Sequence, residues 1–196
     1  MWKIFILFMT TETIISICLG IGLAASVGFR VFVPLFALSL ASYFGIWELN
    51  DNWEWIGSLT AVIAFGVATG VEIFGYFIPF IDNLLDSIAV PLAAIAGTAV
   101  MVSTVADLSP AVTWALAIIA GGGTATAISG ASGATRLTST ATTAGIANPV
   151  VSTVETGTSM IMSVVSIFVP VVGIVLVLIV LYLIFKVYKK IKSSQS

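Results

Sequence analysis

Six ionisable residues stand inside apolar stretches of this 196-residue chain, where a charge needs a partner, a cavity or a function. They are Arg30, Glu72, Asp82, Asp86, Arg136 and Glu155. In apolar surroundings a guanidinium can hold a carboxylate or a phosphate through two parallel hydrogen bonds. A carboxylate there can take up a proton or a cation. The set therefore predicts an anion site with a coupled ion, or a group of buried ion pairs.

The two arginines follow similar sequences, ASVGFR at 25–30 and ASGATR at 131–136. Each stands where an apolar segment gives way to a short one. We therefore predict that Arg30 and Arg136 contact an anionic substrate, with Asn148, which begins a later helix, in the same binding site. The alternative is that each arginine forms an ion pair with Glu72 or Glu155 and fixes the short segment.

The carboxylates are candidates for ion or proton coupling. Glu72 shares a helix face with Tyr76 and Pro79, and this face is predicted to point inward. Glu155 stands about two turns into its helix. Both are equally consistent with a proton or sodium site and with an arginine counter-ion.

Asp82, Asn83 and Asp86 form the densest polar group and offer the oxygen ligands that hard cations take. The alternative for Asp82 is that it caps the next helix, with Asp86 in the first turn of that helix.

The composition places these charges in a membrane. Hydrophobic residues make up 59% of the chain and charged residues only 8%, outside the range of soluble domains. The net charge of -2 excludes a basic surface for nucleic acid. With no histidine and a single cysteine there is no Cys/His metal site, disulfide or histidine-based triad. No cofactor is predicted, and an enzymatic role is not favoured.

The apolar pattern predicts an all-α membrane protein with about six transmembrane helices and two re-entrant or broken segments. The predicted full spans cover 14–29, 56–80, 83–103, 110–129, 148–169 and 174–185. The short segments are 31–44 and the Gly-, Ala-, Ser- and Thr-rich stretch 130–148. A tryptophan-rich interfacial loop is predicted at 45–55.

Charge asymmetry predicts the orientation in a cell inner membrane. Four lysines between Lys186 and Lys192 place the C-terminus in the cytoplasm, and Lys3 weakly places the N-terminus there as well. The acidic loop around Asp51 suits the outside. An even number of crossings follows.

The two arginine motifs, each followed by a Val-Glu pair, suggest an inverted repeat of two halves, 14–105 and 110–190, within one integral membrane domain. The alternative is chance, because membrane segments rich in small residues resemble one another.

Several local motifs together resemble a known bacterial membrane family. They are GFRVFVP at 28–34, IPFIDNLLD at 78–86, DLSP at 107–110, GGG at 121–123, STATT at 139–143 and NPVV at 148–151. As a set they are similar to the family called domain of unknown function 4126, from about residue 20 to the last span. The resemblance implies the architecture and leaves the activity open. The arrangement also resembles that of DedA-type lipid-carrier translocases, a likeness of architecture alone.

Three functions are consistent with these features. The first is a carrier or lipid translocase in which Arg30 and Arg136 hold an anionic solute or lipid headgroup and the acids carry a coupling ion. The second is a structural or assembly subunit of a larger membrane complex, whose charges are internal ties. The third is an intramembrane hydrolase using Asp82 with Asp86, or Glu72. The expected partners are the lipid bilayer, an anionic small molecule or lipid, and a second copy of the chain or a larger complex.

Overall fold

The computed structural model describes residues 11–106 and 108–193, and in these ranges the chain forms seven long helices and one short 3-10 helix. The helices are α1 (Thr11–Val27), α2 (Phe32–Tyr43), α3 (Leu59–Gly75), α4 (Pro79–Thr104), α5 (Pro110–Thr143), α6 (Asn148–Phe168) and α7 (Pro170–Ser193), with the 3-10 helix at Asp51–Gly57. The all-helical class is confirmed.

Hydrogen bonds between connecting segments identify one end of the bundle. The side-chain amide of Asn50, after α2, donates to the carbonyl oxygens of Val102 and Val105 at the end of α4. The indole of Trp47 donates to the carbonyl oxygen of Ile167 at the end of α6. We call this the loop end, because it holds the predicted tryptophan-rich loop.

The opposite end, which we call the charged end, contains the turns α1–α2, α3–α4 and α5–α6. The seven helices therefore alternate in direction, and Thr11 lies at the loop end whereas α7 finishes at the charged end. The predicted side of the N-terminus concerns residues before Thr11 and stays a prediction. Lys3, on which that prediction depended, lies outside the described residues.

Four helical stretches are long and apolar enough to cross a membrane: Phe80–Thr104, Pro110–Thr143, Asn148–Phe168 and Pro170–Val187. A fifth results if the 3-10 helix and α3, bent by 63°, form one span. Helices α1 and α2 are apolar but shorter, with 17 and 12 residues. Membrane-helix character is thus supported. The length and composition of the helices identify four spans, or five with the bent pair, and not the six that we predicted.

The stretch 130–148 is not broken as predicted. Helix α5 continues through it to Thr143 and ends at Ala144 and Gly145, whose φ angles are +52° and +84°. Its 34 residues correspond to about 51 Å, well beyond a hydrocarbon layer of roughly 30 Å. Small hydroxyl residues remain helical here because a helix satisfies its own backbone polar groups in apolar surroundings.

A π-helical turn interrupts α5 at Ala117–Gly122. Here the helix packs closely on α4, since a Cβ on Gly121 would lie 2.6 Å from the carbonyl oxygen of Gly97. Gly66 and Gly70 on α3 also have the four-residue spacing that allows close helix approach. Gly66 does face the ring of Phe36, but a Cβ on Gly70 would meet nothing within 4 Å.

The two arginine motifs differ in local structure. The first runs out of α1 into the turn that contains Arg30, whereas the second lies wholly within α5. Of the described helices, four precede residue 107 and three follow it. The equal halves of the predicted repeat are therefore not evident in the described chain.

Candidate functional site

A cluster of buried charges lies near the charged end, where the α1–α2 turn meets α3, α4, α5 and α6. Its centre is the carboxylate of Glu155, on the buried face of α6. Arg30 comes from the turn and Arg136 from α5, and both are almost inaccessible, with 1% and 3% of their surface exposed. Charges this deeply buried are stable only when they are paired.

Both guanidiniums bind the same carboxylate. Arg136 donates from Nε to Glu155 Oε2 at 3.1 Å and also pairs with it through Nη2. Arg30 Nη2 lies 3.4 Å from the same oxygen. Ser132, one turn before Arg136, donates its hydroxyl to Glu155 Oε1. Glu155 is therefore a counter-ion that both arginines share, one of the two glutamates that the alternative reading of the sequence considered as their partners.

Arg30 is also anchored to α6 by neutral groups. Its Nε donates to the hydroxyl of Thr156 at 2.9 Å, and its Nη2 donates to the hydroxyl of Ser152 at 2.6 Å. The remaining nitrogen, Nη1, is buried without a hydrogen-bond partner. The two N–H groups of this nitrogen are thus not satisfied by an acceptor in the described chain.

Asp82 extends the cluster to α4. It pairs with Arg136 Nη1 at 2.6 Å and accepts a 3.1 Å hydrogen bond from the side-chain amide of Asn148. It is not the predicted helix cap, because α4 already begins at Pro79, and its side chain turns instead toward Arg136. Asp86, one turn later and part-exposed, lies 3.6 Å from Arg136 Nε.

Glu72 supports the cluster from α3 by holding the start of α2. Its two carboxylate oxygens accept hydrogen bonds from the backbone N–H groups of Val31 and Phe32, at 2.7 and 2.9 Å. The first N–H groups of a helix lack intrahelical partners and carry partial positive charge, so a buried carboxylate stabilises them. Glu72 thereby fixes the turn that presents Arg30.

Tyr76 is a residue of the site that we did not predict from the sequence. The guanidinium carbons of Arg30 and Arg136 lie 3.8 and 4.2 Å from its ring centroid, so the ring stabilises both cations. Its position one turn after Glu72, on a face predicted to point inward, was the available signal.

Three hydroxyl groups of the site were not predicted from the sequence. The hydroxyls of Ser132, Ser152 and Thr156 also belong to the site, and Ser152 lies three residues before Glu155, on the same helix face.

Asn83, which we predicted as a coupling residue, is exposed on the first turns of α4. The other seven predicted residues belong to the cluster.

The cluster contains more acid than base. Within the described chain it holds two arginines and four carboxylates, those of Glu72, Asp82, Asp86 and Glu155. A cavity of about 30 Å³ lies beside Tyr76, Asp86 and Ser132, enough for about one water molecule. No group of three or more metal-ligating side chains suited to a metal ion occurs in the residues that the structure describes.

Comparison with known proteins gives one match. The family model described as a domain of unknown function (DUF4126) matches residues 17–190, nearly the whole chain. No curated protein and no solved structure matches. The likeness to DedA-type proteins therefore stays a prediction.

Proposed function

The chain belongs to the DUF4126 family, whose description names no activity, and we propose from its charge cluster that it is a membrane carrier for an anionic solute or lipid, coupled to a proton or cation. The observation that carries this proposal is the position of Glu155. Its carboxylate lies between two buried guanidiniums, the place that an anionic ligand would take.

In this proposal the carboxylate of Glu155 competes with the anionic substrate for binding to the two guanidiniums. Protonation of its carboxylate removes the negative charge that Arg30 and Arg136 share. Their positive charge then favours an incoming anion, which uses the partnerless Nη1 of Arg30 among its donors. Because one proton enters with one negative charge, the cluster keeps its net charge, and anion and proton binding promote each other.

The excess of acid supports a coupling role. Four carboxylates with two arginines leave two negative charges uncompensated when all are ionised, which is unfavourable in a low-dielectric region. Uptake of a proton or cation relieves this imbalance. Asp86, the most exposed of the four, is the proposed route by which the ion reaches the cluster.

The proposed location is a cell inner membrane, with the charged end toward the cytoplasm. Lys186 and Lys189 lie on the last turns of α7, at the same end as the cluster, and positively charged flanks favour the cytoplasmic side. Arg136 is seven residues, about 10 Å, from the end of α5. In this proposed orientation the anion site lies in the cytoplasmic half of the protein, and α2, which corresponds to the predicted short segment 31–44, is the proposed re-entrant segment.

A second candidate, a structural subunit of a larger complex, is favoured by a different observation. The ion pairs join the α1–α2 turn, α4, α5 and α6 around a cavity of only about 30 Å³. Such a closed network is also typical of ion pairs whose role is to hold helices together.

Flux measurements separate the two functions. We expect proteoliposomes containing the wild-type chain to move fluorescent phosphatidylglycerol or inorganic phosphate, with accompanying proton movement reported by trapped pyranine. Glu155→Gln is expected to abolish the proton movement, and Arg30→Gln and Arg136→Gln the anion movement. Glu48→Gln, which changes an exposed acid of the loop, is the matched control.

Unaltered anion flux in the folded arginine variants would remove the proposed anion site. Absence of flux with both probes, together with a stoichiometric partner after native purification, would replace the carrier with the structural role.

A further inference from the structure

The small cavity of the charge cluster lies between two acids from different helices. Asp86 of α4 and Glu155 of α6 both line it. Its volume of about 30 Å³ exceeds the roughly 10–15 Å³ that a water molecule needs, and a buried water takes about two to four polar partners. The polar side chains that line the cavity are those of Tyr76, Asp86, Ser129, Ser132, Arg136 and Glu155. The cavity is therefore suited to one ordered water molecule.

The two acids differ in their access to solvent. The side chain of Asp86 is 27% exposed, whereas that of Glu155 is 6% exposed. Asp86 lies seven residues after Pro79, the first residue of α4, and thus about 10 Å from the charged end of this helix. A proton that enters from the charged end therefore reaches Asp86 first, and the cavity separates it from Glu155.

Ser132 connects the cavity to one oxygen of Glu155. Its hydroxyl donates to Oε1, while Oε2 pairs with the guanidiniums of Arg30 and Arg136. A serine hydroxyl can donate one hydrogen bond and accept others at the same time. Ser132 can thus accept a hydrogen bond from a water in the cavity while it donates to Glu155. Oε1 is the oxygen at which a proton arrives by this path.

Arg136 makes the same cavity unsuitable for a metal cation. Its side chain lines the cavity, and it already pairs with both acids there, with its Nε 3.6 Å from Asp86 Oδ1 and its Nη2 against Glu155. A hard cation needs a shell of oxygen ligands, and in this cavity it would lie beside a guanidinium that competes for the two carboxylates. A proton, which is bound covalently by one oxygen at a time, needs no such shell.

We infer that the coupling ion is a proton, and that it passes between Asp86 and Glu155 through one water molecule and the hydroxyl of Ser132. Toward Glu155, the carboxyl group of Asp86 gives its proton to the water, the water gives one of its protons to Ser132 Oγ, and Ser132 gives its own proton to Glu155 Oε1. Each O–H bond that breaks is replaced by one that forms, and the negative charge moves from Glu155 to Asp86. The inference rests on the proposed function only for the coupling of this proton to anion movement.

The charges around Glu155 decide when it accepts the proton. The titratable groups of the cluster around it come from the α1–α2 turn, α3, α4 and α5, and they are Arg30, Glu72, Tyr76, Asp82, Asp86 and Arg136. The two guanidiniums oppose its protonation, and the three other carboxylates favour it. An anion bound to the guanidiniums offsets their charge. Proton transfer to Glu155 is therefore expected to accompany anion binding.

The identity of the ion is tested on the full chain in detergent, where no transport takes place. The infrared absorption of protonated carboxyl groups is followed over pH in sodium chloride and in choline chloride of equal ionic strength, with and without inorganic phosphate. We expect the same titration in both salts, with a component that is absent from Glu155→Gln and kept in Glu48→Gln. A titration displaced to lower pH in sodium chloride would show that Na⁺ competes for the acids, and would overturn the inference. So would the absence of a Glu155 component under all of these conditions.

The path is tested with two variants of equal shape, Ser132→Thr and Ser132→Val, which differ in the hydroxyl. After a light-triggered pH drop in the detergent sample, we expect the Glu155 band to appear at least about tenfold more slowly in the valine variant. Ala89→Leu, which fills the cavity, is expected to slow the band to a similar extent relative to Ala134→Leu, at an exposed position of α5 outside the cavity. A hydroxyl with a packing role alone would leave these rates equal.

Equal rates in the threonine and valine variants would refute the path through Ser132. If these variants also moved anions and protons normally in proteoliposomes, the carrier would stand without this path. Proton transfer to Glu155 without any flux would instead leave the path intact and refute the carrier.

Discussion

Removal of the shared counter-ion is the most direct test of the charge cluster. In Glu155→Ala, Arg30 and Arg136 lose a common acceptor while their side chains stay buried. Leaving one member of a buried ion pair without its partner destabilises a protein by about 3–5 kcal/mol. The loss is not doubled here, because Arg136 keeps Asp82 at 2.6 Å and Arg30 keeps Ser152. We expect a decrease of about 4 kcal/mol in the free energy of unfolding.

For a chain of this length, each kcal/mol shifts the melting temperature by about 2–4 °C, so a decrease of roughly 8–16 °C is expected. Tryptophan fluorescence of the purified protein in detergent measures it, since the chain has five tryptophans. Glu48→Ala serves as the control, because a surface substitution changes stability by no more than about 0.5 kcal/mol.

A melting temperature of Glu155→Ala within about 2 °C of the wild-type value would refute the reasoning, since it would mean that the guanidiniums do not depend on this carboxylate. A double substitution, Glu155→Leu with Arg136→Met, supplies a second check. It is expected to be less destabilising than the sum of the single substitutions, because it removes both charges of the pair.

Three further predictions concern the same melting experiment. Tyr76→Ala should lower stability by about 3–5 kcal/mol through loss of a buried ring that contacts two cations, and Tyr76→Phe by less than about 1 kcal/mol, because the ring is kept. Gly121→Ala should destabilise the protein by about 1–3 kcal/mol, because the added Cβ would lie 2.6 Å from a backbone oxygen. Gly130→Ala should stabilise it by about 0.5–1 kcal/mol, because this glycine lies within a helix and an added Cβ would meet nothing within 4 Å. Glu72→Ala should lower stability by about 1–2 kcal/mol more than Glu48→Ala, because two N–H groups at the start of α2 lose their acceptor; equal melting temperatures for the two would contradict this role.

The membership of the cluster was largely predictable from the sequence. An ionisable side chain in an apolar segment must find a partner, and few such residues exist in this chain, so their convergence follows from the energetics of burial. Arg30, Arg136, Glu155 and Asp82 illustrate this. Their partners were not predictable, because pairing depends on which helix faces meet, and this is set by tertiary packing.

The errors have identifiable causes. Residues 130–148 were predicted as broken because Gly, Ser and Thr are weak helix formers in water, a preference that apolar surroundings override. Asp82 was considered as a cap because an acidic residue near the start of a helix can either cap that helix or pair with a cation on another helix. The sequence does not distinguish the two roles. Tyr76 was left out of the site because its place on the face of Glu72 indicates burial but does not indicate that two guanidiniums lie against its ring.

The π-helical turn at Ala117–Gly122 has a consequence for the geometry of α5 beyond close packing. A π turn closes its hydrogen bonds over one residue more than an α turn, so it takes up one extra residue locally and leaves the direction of the helix after it about unchanged. Ser132 and Arg136 both lie downstream, in the α-helical part of α5, where each residue advances the azimuth by about 100°. Deleting a single amino acid between the turn and Ser132 would therefore rotate the guanidinium by roughly a quarter of a revolution, away from its carboxylate, whereas a deletion within the turn would be absorbed.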